Sequence, residues 1–224
     1  MTGLVVSPNY EQDGLLFGAT LEDGVLRSPD RGRRWHAWNF GLLDMHVLAL
    51  AISPAFAADE TLFAATETGV YRSTNGGRAW RETGFPSAAA PVVSLALSPA
   101  YQQDGTLFAG TDAAGLYRSA DRGRTWRRVG EAALAGPVNA LLWDCNPPDC
   151  AHLLALEEDR LLASPDAGAT WAPWPGTAAW AASVTAVAAP YGLAPGAALL
   201  VGLLDGRVLR VCAGQLEAVG AHVC

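Results

Sequence analysis

An octapeptide of the form Ser-x-Asp-x-Gly-x-Thr-Trp recurs through the chain, as SPDRGRRW (28–35), STNGGRAW (73–80), SADRGRTW (119–126) and SPDAGATW (164–171). Its first serines are separated by 45, 46 and 45 residues. So constant a period marks a repeat architecture, in which one unit is copied because a single copy cannot bury its own apolar face.

Each octapeptide, or box, follows a short apolar run (GVLR, GVYR, GLYR, RLLA) and ends on an aromatic that opens another extended run. That order reads as strand, tight turn, returning strand. Asp30, Asp121 and Asp166 are of the type that accepts hydrogen bonds from turn amides, and Asn75 can do so as a neutral group. Gly32, Gly77, Gly123 and Gly168 suit a position of positive φ. Trp35, Trp80, Trp126 and Trp171 read as large apolar plugs for the gap between neighbouring sheets. Carboxylates at one repeated position invite an acid–base or metal reading. Catalytic groups are usually singular, however, and groups that recur with the scaffold read as staples of a hairpin.

Aligned on the boxes, the chain shows one strand pattern five times. The first strands are GLVVSP (3–8), VLALAISP (47–54), VVSLALSP (92–99), VNALLWDC (138–145) and VTAVAAPY (184–191). Second strands such as TLFAAT and TLFAGT follow, then the strand into the box and a fourth strand after it. The fifth unit has GRVLRV (206–211), a shortened turn, and Leu216 in place of the tryptophan. Short runs rich in Val, Leu, Ala and aromatics, bounded by Gly, Pro and Asp, are strands. The first two strands are joined by SPNYEQDG, SPAFAADE and SPAYQQDG in units one to three, read as loops with an aromatic (Tyr10, Phe56, Tyr101) packed beneath. No window offers a helical period with caps. The predicted fold class is all-β, a single domain of five four-stranded antiparallel units at about 1–43, 44–89, 90–135, 136–181 and 182–224.

The octapeptides match the Asp box, or BNR repeat, and the chain resembles the sialidase-like and BNR-repeat β-propellers. The SP-x-aromatic-x-x-Asp loop followed by Leu-Phe-Ala-Gly-Thr resembles the repeats of the photosystem II stability/assembly factor family. The resemblance implies five radial blades, with a box that is structural and remote from any active site. Unit one opens on its own first strand and unit five ends on its own fourth. The expectation is therefore a closed monomer with a weak seam between blades one and five, with oligomerisation or an open fragment as the alternative.

Sialidases of this architecture use three arginines on a carboxylate, a Tyr–Glu nucleophile pair and an acidic acid/base, with an N-terminal Arg-Ile-Pro motif. The chain has no Arg-Ile-Pro. Arg27, Arg72, Arg118 and Arg210 recur at one repeat position, as do Tyr71 and Tyr117, so they read as a strand feature. The leading expectation is a non-catalytic module that binds a ligand or protein. A glycoside hydrolase or a degenerate relative of one is the alternative, and no catalytic residue and no cofactor is assigned.

The net charge of −7 disfavours a nucleic-acid partner, which selects a basic surface. No apolar run reaches the ~18 residues of a membrane span. The first residues, MTGLVVSPNYEQDG, lack a charged n-region and an h-region. The reading is cytoplasmic if Met1 is the native start and extracytoplasmic if a leader has been removed. Cys145, Cys150, Cys212 and Cys224 leave three options open: a local disulfide across NPPD, a zinc site, or free thiols.

Alternate turns of a blade fall on opposite ends of the disc. The turns between second and third strands carry an acid in every unit: Glu22 and Asp23, Glu67, Asp112, Glu157 with Glu158 and Asp159, and Asp205. The inter-blade links add Asp44, His46, Glu131 and Trp180 to the same end. This acidic ring is a candidate site for a basic protein segment or a cation. The competing reading is that short turns favour Asp for local reasons and the acids merely solvate the surface.

Overall fold

Five four-stranded antiparallel sheets follow one another along the chain, each with its strands in sequence order. The computed structural model describes residues 1–144, 151–174, 182–193, 197–212 and 215–219. Cys145, Pro147, Cys150, Trp180 and Cys224 lie outside these residues.

Blade one comprises β1 (Gly3–Val6), β2 (Leu16–Ala19), β3 (Val25–Ser28) and β4 (His36–Ala37). Blade two comprises β5 (Val47–Ile52), β6 (Leu62–Thr66), β7 (Val70–Ser73) and β8 (Arg81–Glu82). Blade three comprises β9 (Val92–Leu97), β10 (Leu107–Thr111), β11 (Leu116–Ser119) and β12 (Arg127–Val129). Blade four comprises β13 (Val138–Trp143), β14 (Leu153–Glu157), β15 (Arg160–Ser164) and β16 (Ala172–Pro173). Blade five comprises β17 (Val184–Ala188), β18 (Leu199–Leu203), β19 (Val208–Cys212) and β20 (Gln215–Val219). The first strands run against one another from blade to blade, so they line the axis and the fourth strands form the rim. The outer strands of blades one to four are two or three residues long, which limits the open ladder offered to another chain.

The joining loops differ from expectation. Each of the first three contains one turn of helix: α1 (Tyr10–Asp13), α2 (Phe56–Asp59) and α3 (Tyr101–Asp104). A left-handed residue closes each: Gly14 (φ 61°), Glu60 (φ 48°) and Gly105 (φ 61°). Four residues are too few to show a helical period, and the local hydrogen bonds carry the turn instead. The Ser7 hydroxyl donates to Asp13 at 2.6 Å, and Asp13 accepts from the Leu15 amide at 2.9 Å. Ser53 with Asp59 and Ser98 with Asp104 repeat the arrangement. The helix aromatic then inserts against the preceding blade. Phe56 meets Phe17 edge to face at 5.7 Å, and Tyr101 meets Phe63 at 5.9 Å. Burial raises the Tyr101 phenol to about 12.

The core is four separate junctions between successive blades. Phe17, Ala19 and Val25 of blade one pack on Leu50, Leu62, Ala64, Tyr71 and Trp80 of blade two. Phe63, Ala65 and Val70 pack on Leu95, Leu107 and Ala109 of blade three, with Trp126 alongside. Phe108 and Leu116 face Leu141, Leu153, Ala155 and Leu162, with Trp171 alongside. Leu154, Leu156 and Leu161 face Leu199, Val201, Leu209 and Val211. Trp80, Trp126 and Trp171 thus fill the gaps behind their own blades, as the plug reading requires. The closed-monomer expectation fares differently. Among the described residues no buried cluster joins blade five to blade one, and Leu4 (53% exposed) and Val208 (41%) stand open to solvent.

Trp80 is 2% exposed, whereas Trp35, at the same box position, has no blade behind it and is half-buried. Trp80→Ala is expected to cost about 3–5 kcal/mol, as truncation of a buried aromatic does. Trp126→Ala, half-buried, should cost less, and Trp35→Ala least. Urea midpoints of the three variants check the order, and equal losses would overturn the packing account.

Candidate functional site

The boxes form one hydrogen-bond pattern. In box three the Ser119 hydroxyl donates to Asp121 at 2.8 Å and accepts from the Gly123 amide at 2.9 Å. Asp121 accepts from the Thr125 amide at 2.9 Å and from the Thr125 hydroxyl at 2.6 Å. Asp166 does the same with Thr170, while Asp30 and Asn75 accept from the amides of Arg34 and Ala79. The glycines hold φ of 83° to 86°. The residue before each is left-handed too, and in Arg31, Arg122 and Ala167 it is not glycine. The Thr125 hydroxyl, then its amide, holds the Asp121 carboxyl down at about 2, and Thr170 does the same for Asp166. These carboxylates are therefore engaged in their own turns.

The opposite end carries the acidic turns, tied to the inter-blade links. Asp44 is buried and accepts from the Thr68 amide and hydroxyl, each at 2.9 Å, and from the His46 amide. The His46 ring lies 3.3 Å from Asp44 and 3.8 Å from Glu67. Glu157 is only 3% exposed, pairs with Arg160 and accepts from the Gly136 amide, so it is a structural carboxylate. Asp159 accepts from the Val184 amide, and Asp205 pairs with Arg207 at 2.7 Å. The hydrogen bonds from Arg207 hold the Asp205 carboxyl below its usual range. Glu22, Asp23, Glu67, Asp112, Glu158 and Asp205 are exposed. Cys212 is half-buried in β19 and unpaired among the described residues. No group of His, Cys, Asp and Glu that could hold a metal ion occurs among the described residues.

The box end holds what the sequence reading set aside. The chain has no lysine, and twelve of its fifteen arginines fall in 27–34, 72–81 and 118–128. Arg72, Arg81, Arg122 and Arg124 wall a cleft of about 670 Å³ at the rim between blades two and three. It opens there for a steric reason. Trp38 fills the corresponding place between blades one and two, held by Arg27 at 4.3 Å and Arg78 at 5.6 Å from its ring. Burial first, and then Arg78, keep Arg27 below its ordinary pKa. In blade two the same position is Thr83, which is too small to fill the groove.

Arg72 lies over Phe63, with its Nε buried and without a hydrogen-bond partner. The side chains of Arg81 and Arg124 are exposed and make no hydrogen bond or ion pair among the described residues. A guanidinium offers five N–H donors, so this cleft holds unmet donor capacity and net positive charge. A second cleft of about 430 Å³, between blades three and four, has Arg118, Arg127 and Arg128. Box four carries Ala167 and Ala169 where box three has Arg122 and Arg124, so this second cleft is less basic. The rim signal was in the sequence as arginines in and beside the first three boxes. It became a site only when the fold brought β7 and β8 against the next box.

The fold defines a β-propeller of five four-stranded blades. No family model matches the chain, and no curated protein matches it. Solved structures do. The GH74 xyloglucanase from Xanthomonas campestris superimposes with a TM-score of 0.74 at 23% identity, over 98% of this chain and 37% of that one. YCF48 from Cyanidioschyzon merolae gives 0.65 at 14% identity, over 97% of this chain and 69% of that one. YCF48 bound to D1 peptide gives 0.64 at 15% identity, over 92% and 64%. The chain thus spans about a third of the GH74 protein's length, and the likeness is one of fold.

Asp121 is bound more tightly as a carboxylate in the folded chain than its ordinary value near 3.8 implies. Its contribution to stability is present above that value and fades as pH falls toward about 2. Because the group is exposed the contribution is small. Asp121→Asn, which gives box three the neutral acceptor that Asn75 provides in box two, should fold and show a shallower stability loss on acidification. Denaturation midpoints measured across that range check it.

Proposed function

We propose that the chain is a non-catalytic BNR-type propeller module that binds an acidic, extended protein segment along the arginine-walled rim cleft. The observation that carries the reading is the cleft itself: four arginines, one with an orphaned Nε, against a single carboxylate in the lining, Glu82. Arginine forks pair with carboxylates two bonds at a time, which suits a run of Asp and Glu or a chain terminus. The cleft is open to solvent between two blades rather than a sealed pocket, which leaves room for a segment of peptide. YCF48, of similar fold, is known with D1 peptide bound, which supports a peptide as the ligand type. Against the hydrolase alternative, Arg27, Arg72 and Arg118 are distributed one to a blade near the rim and do not converge on one acid.

The acidic end, with Glu22, Asp23, Glu67, Asp112, Glu158 and Asp205 exposed, stands as a second reading, for a basic segment or cation. Its ring is interrupted by the buried Glu157 and by the Asp205–Arg207 pair.

One titration separates the two. A labelled Asp/Glu-rich peptide and a labelled Arg/Lys-rich peptide are each followed by fluorescence anisotropy at rising salt. The acidic peptide should bind, weaken with salt, and lose about tenfold in affinity, ~1.4 kcal/mol, on Arg81→Ala with Arg124→Ala. Glu67→Gln, Asp112→Asn and Asp205→Asn together should leave it unchanged. Binding of the basic peptide alone, abolished by the triple variant, would reject the arginine cleft in favour of the acidic end.

A further inference from the structure

Each internal blade is covered on two faces of different kind. The face toward the next blade carries Phe63, Ala51 and Val70 in blade two, and Phe108, Ala96 and Leu116 in blade three; all are buried, Phe63, Val70, Phe108 and Leu116 completely. The face toward the preceding blade carries, in blade two, Leu50, Leu62, Tyr71 and Trp80, none more than 8% exposed, with Phe56 against it at 4%. The repeat offsets put Leu4, Leu16, Leu26, Trp35 and Tyr10 of blade one at these same places. Registers in blade five likewise put Ala188, Leu200, Val208 and Arg210 where blade three has Ala96, Phe108, Leu116 and Arg118.

Among the described residues both terminal faces are open in part: Leu16 is buried, Leu26, Trp35 and Leu200 are half-buried, and other positions are exposed. Leu4 is 53% exposed against 8% for Leu50, and Val208 is 41% exposed against 0% for Leu116. Ala186 and Ala188 of the inner strand β17 are exposed, and Tyr10 is half-buried with Arg31 5.8 Å from its ring. Met1 and Trp35 both lie against Gly18, and Met1 partly screens the blade-one face. The two faces are the two halves of a junction that the chain builds four times within itself, and among the described residues no buried cluster joins them.

We propose that blade five of one copy of this chain packs on blade one of a second copy, head to tail, reproducing the internal blade junction between molecules. The occupant follows from continuity with the internal interfaces. What covers a face of the blade-three kind is, at every internal junction, a face of the blade-two kind, and blade one presents it. One polar contact of a junction is also available. Arg72 reaches the Arg122 carbonyl of the next box at 3.5 Å, whereas the Ser94 hydroxyl, which donates to the Val138 carbonyl at 2.6 Å, is replaced in blade five by Ala186. Arg210 stands at the position of Arg72, exposed, with the Arg31 carbonyl of a second copy as its counterpart. A pairing of unlike faces closes into a ring or continues as a chain of copies, according to its rotation.

The test is the mass of the 224-residue chain in solution, by sedimentation and light scattering over a concentration series. Two paired variants each alter one face at exposed positions: Leu4→Glu with Val6→Glu, and Ala188→Glu with Val208→Glu. The unaltered chain should associate, and each variant alone should be monomeric with an unchanged circular dichroism spectrum. Mixing the two variants should restore a one-to-one dimer, because one intact face remains on each. If either glutamate pair unfolds the chain, Leu4→Asn with Val6→Asn and Ala188→Ser with Val208→Ser take their places. A chain that is monomeric at every concentration overturns the proposal, as blade five closing on its own blade one would give. Association that persists in either variant alone, or a mixture that stays monomeric, overturns it as well.

Discussion

A four-stranded sheet that is apolar on both faces cannot stand alone in water. Each blade here has two such faces, and everything else in the structure follows from covering them. The fully buried phenylalanines Phe17, Phe63 and Phe108 each project into the next blade. There they meet an aromatic from that blade: Phe56, Tyr101 and, in blade four, Trp143. Burying one such ring is worth roughly 1.5–3 kcal/mol, so a junction with several apolar contacts outweighs the modest gain of the short outer strands. The box does not itself drive this packing. It fixes the turn so that its tryptophan is delivered behind the blade at the right height.

That division explains what the sequence disclosed. The box period, the five strand sets and the direction of the tryptophan plugs were legible because each depends on contacts within one unit or with its immediate neighbour. The turns α1 to α3 were not legible as helix. A single turn has no period, and its marker is a left-handed closing residue, which Glu60 supplies without being glycine. The seam between blades five and one was not legible for a related reason. Whether blade five reaches blade one depends on small rotations accumulated over the intervening junctions, and no residue encodes that sum.

The candidate site was half legible. The acidic turns are where topology puts them, yet sequence could not tell that Glu157 is buried against Arg160 while Glu158 beside it is exposed. The arginines were visible but were read as decoration of a strand, since recurrence argues for scaffold. What distinguishes the junction of blades two and three is a substitution elsewhere, Thr83 in place of the tryptophan at position 38. A repeat protein can therefore carry function in the places where one copy departs from the others, with the repeated residues serving as its walls.

The separation of arginine-rich boxes from acidic turns across the thickness of the disc has a consequence for how the molecule moves. An excess of arginine over acid near one end, and of acid at the far end, gives the molecule an electric dipole along the axis. Such a body experiences a torque in any local field before it touches anything. Approaching a strongly charged surface or a long acidic chain, it turns its box end forward while still about a Debye length away, near 10 Å at 0.1 M salt. Its encounters are thus sorted by orientation first and by chemistry afterwards.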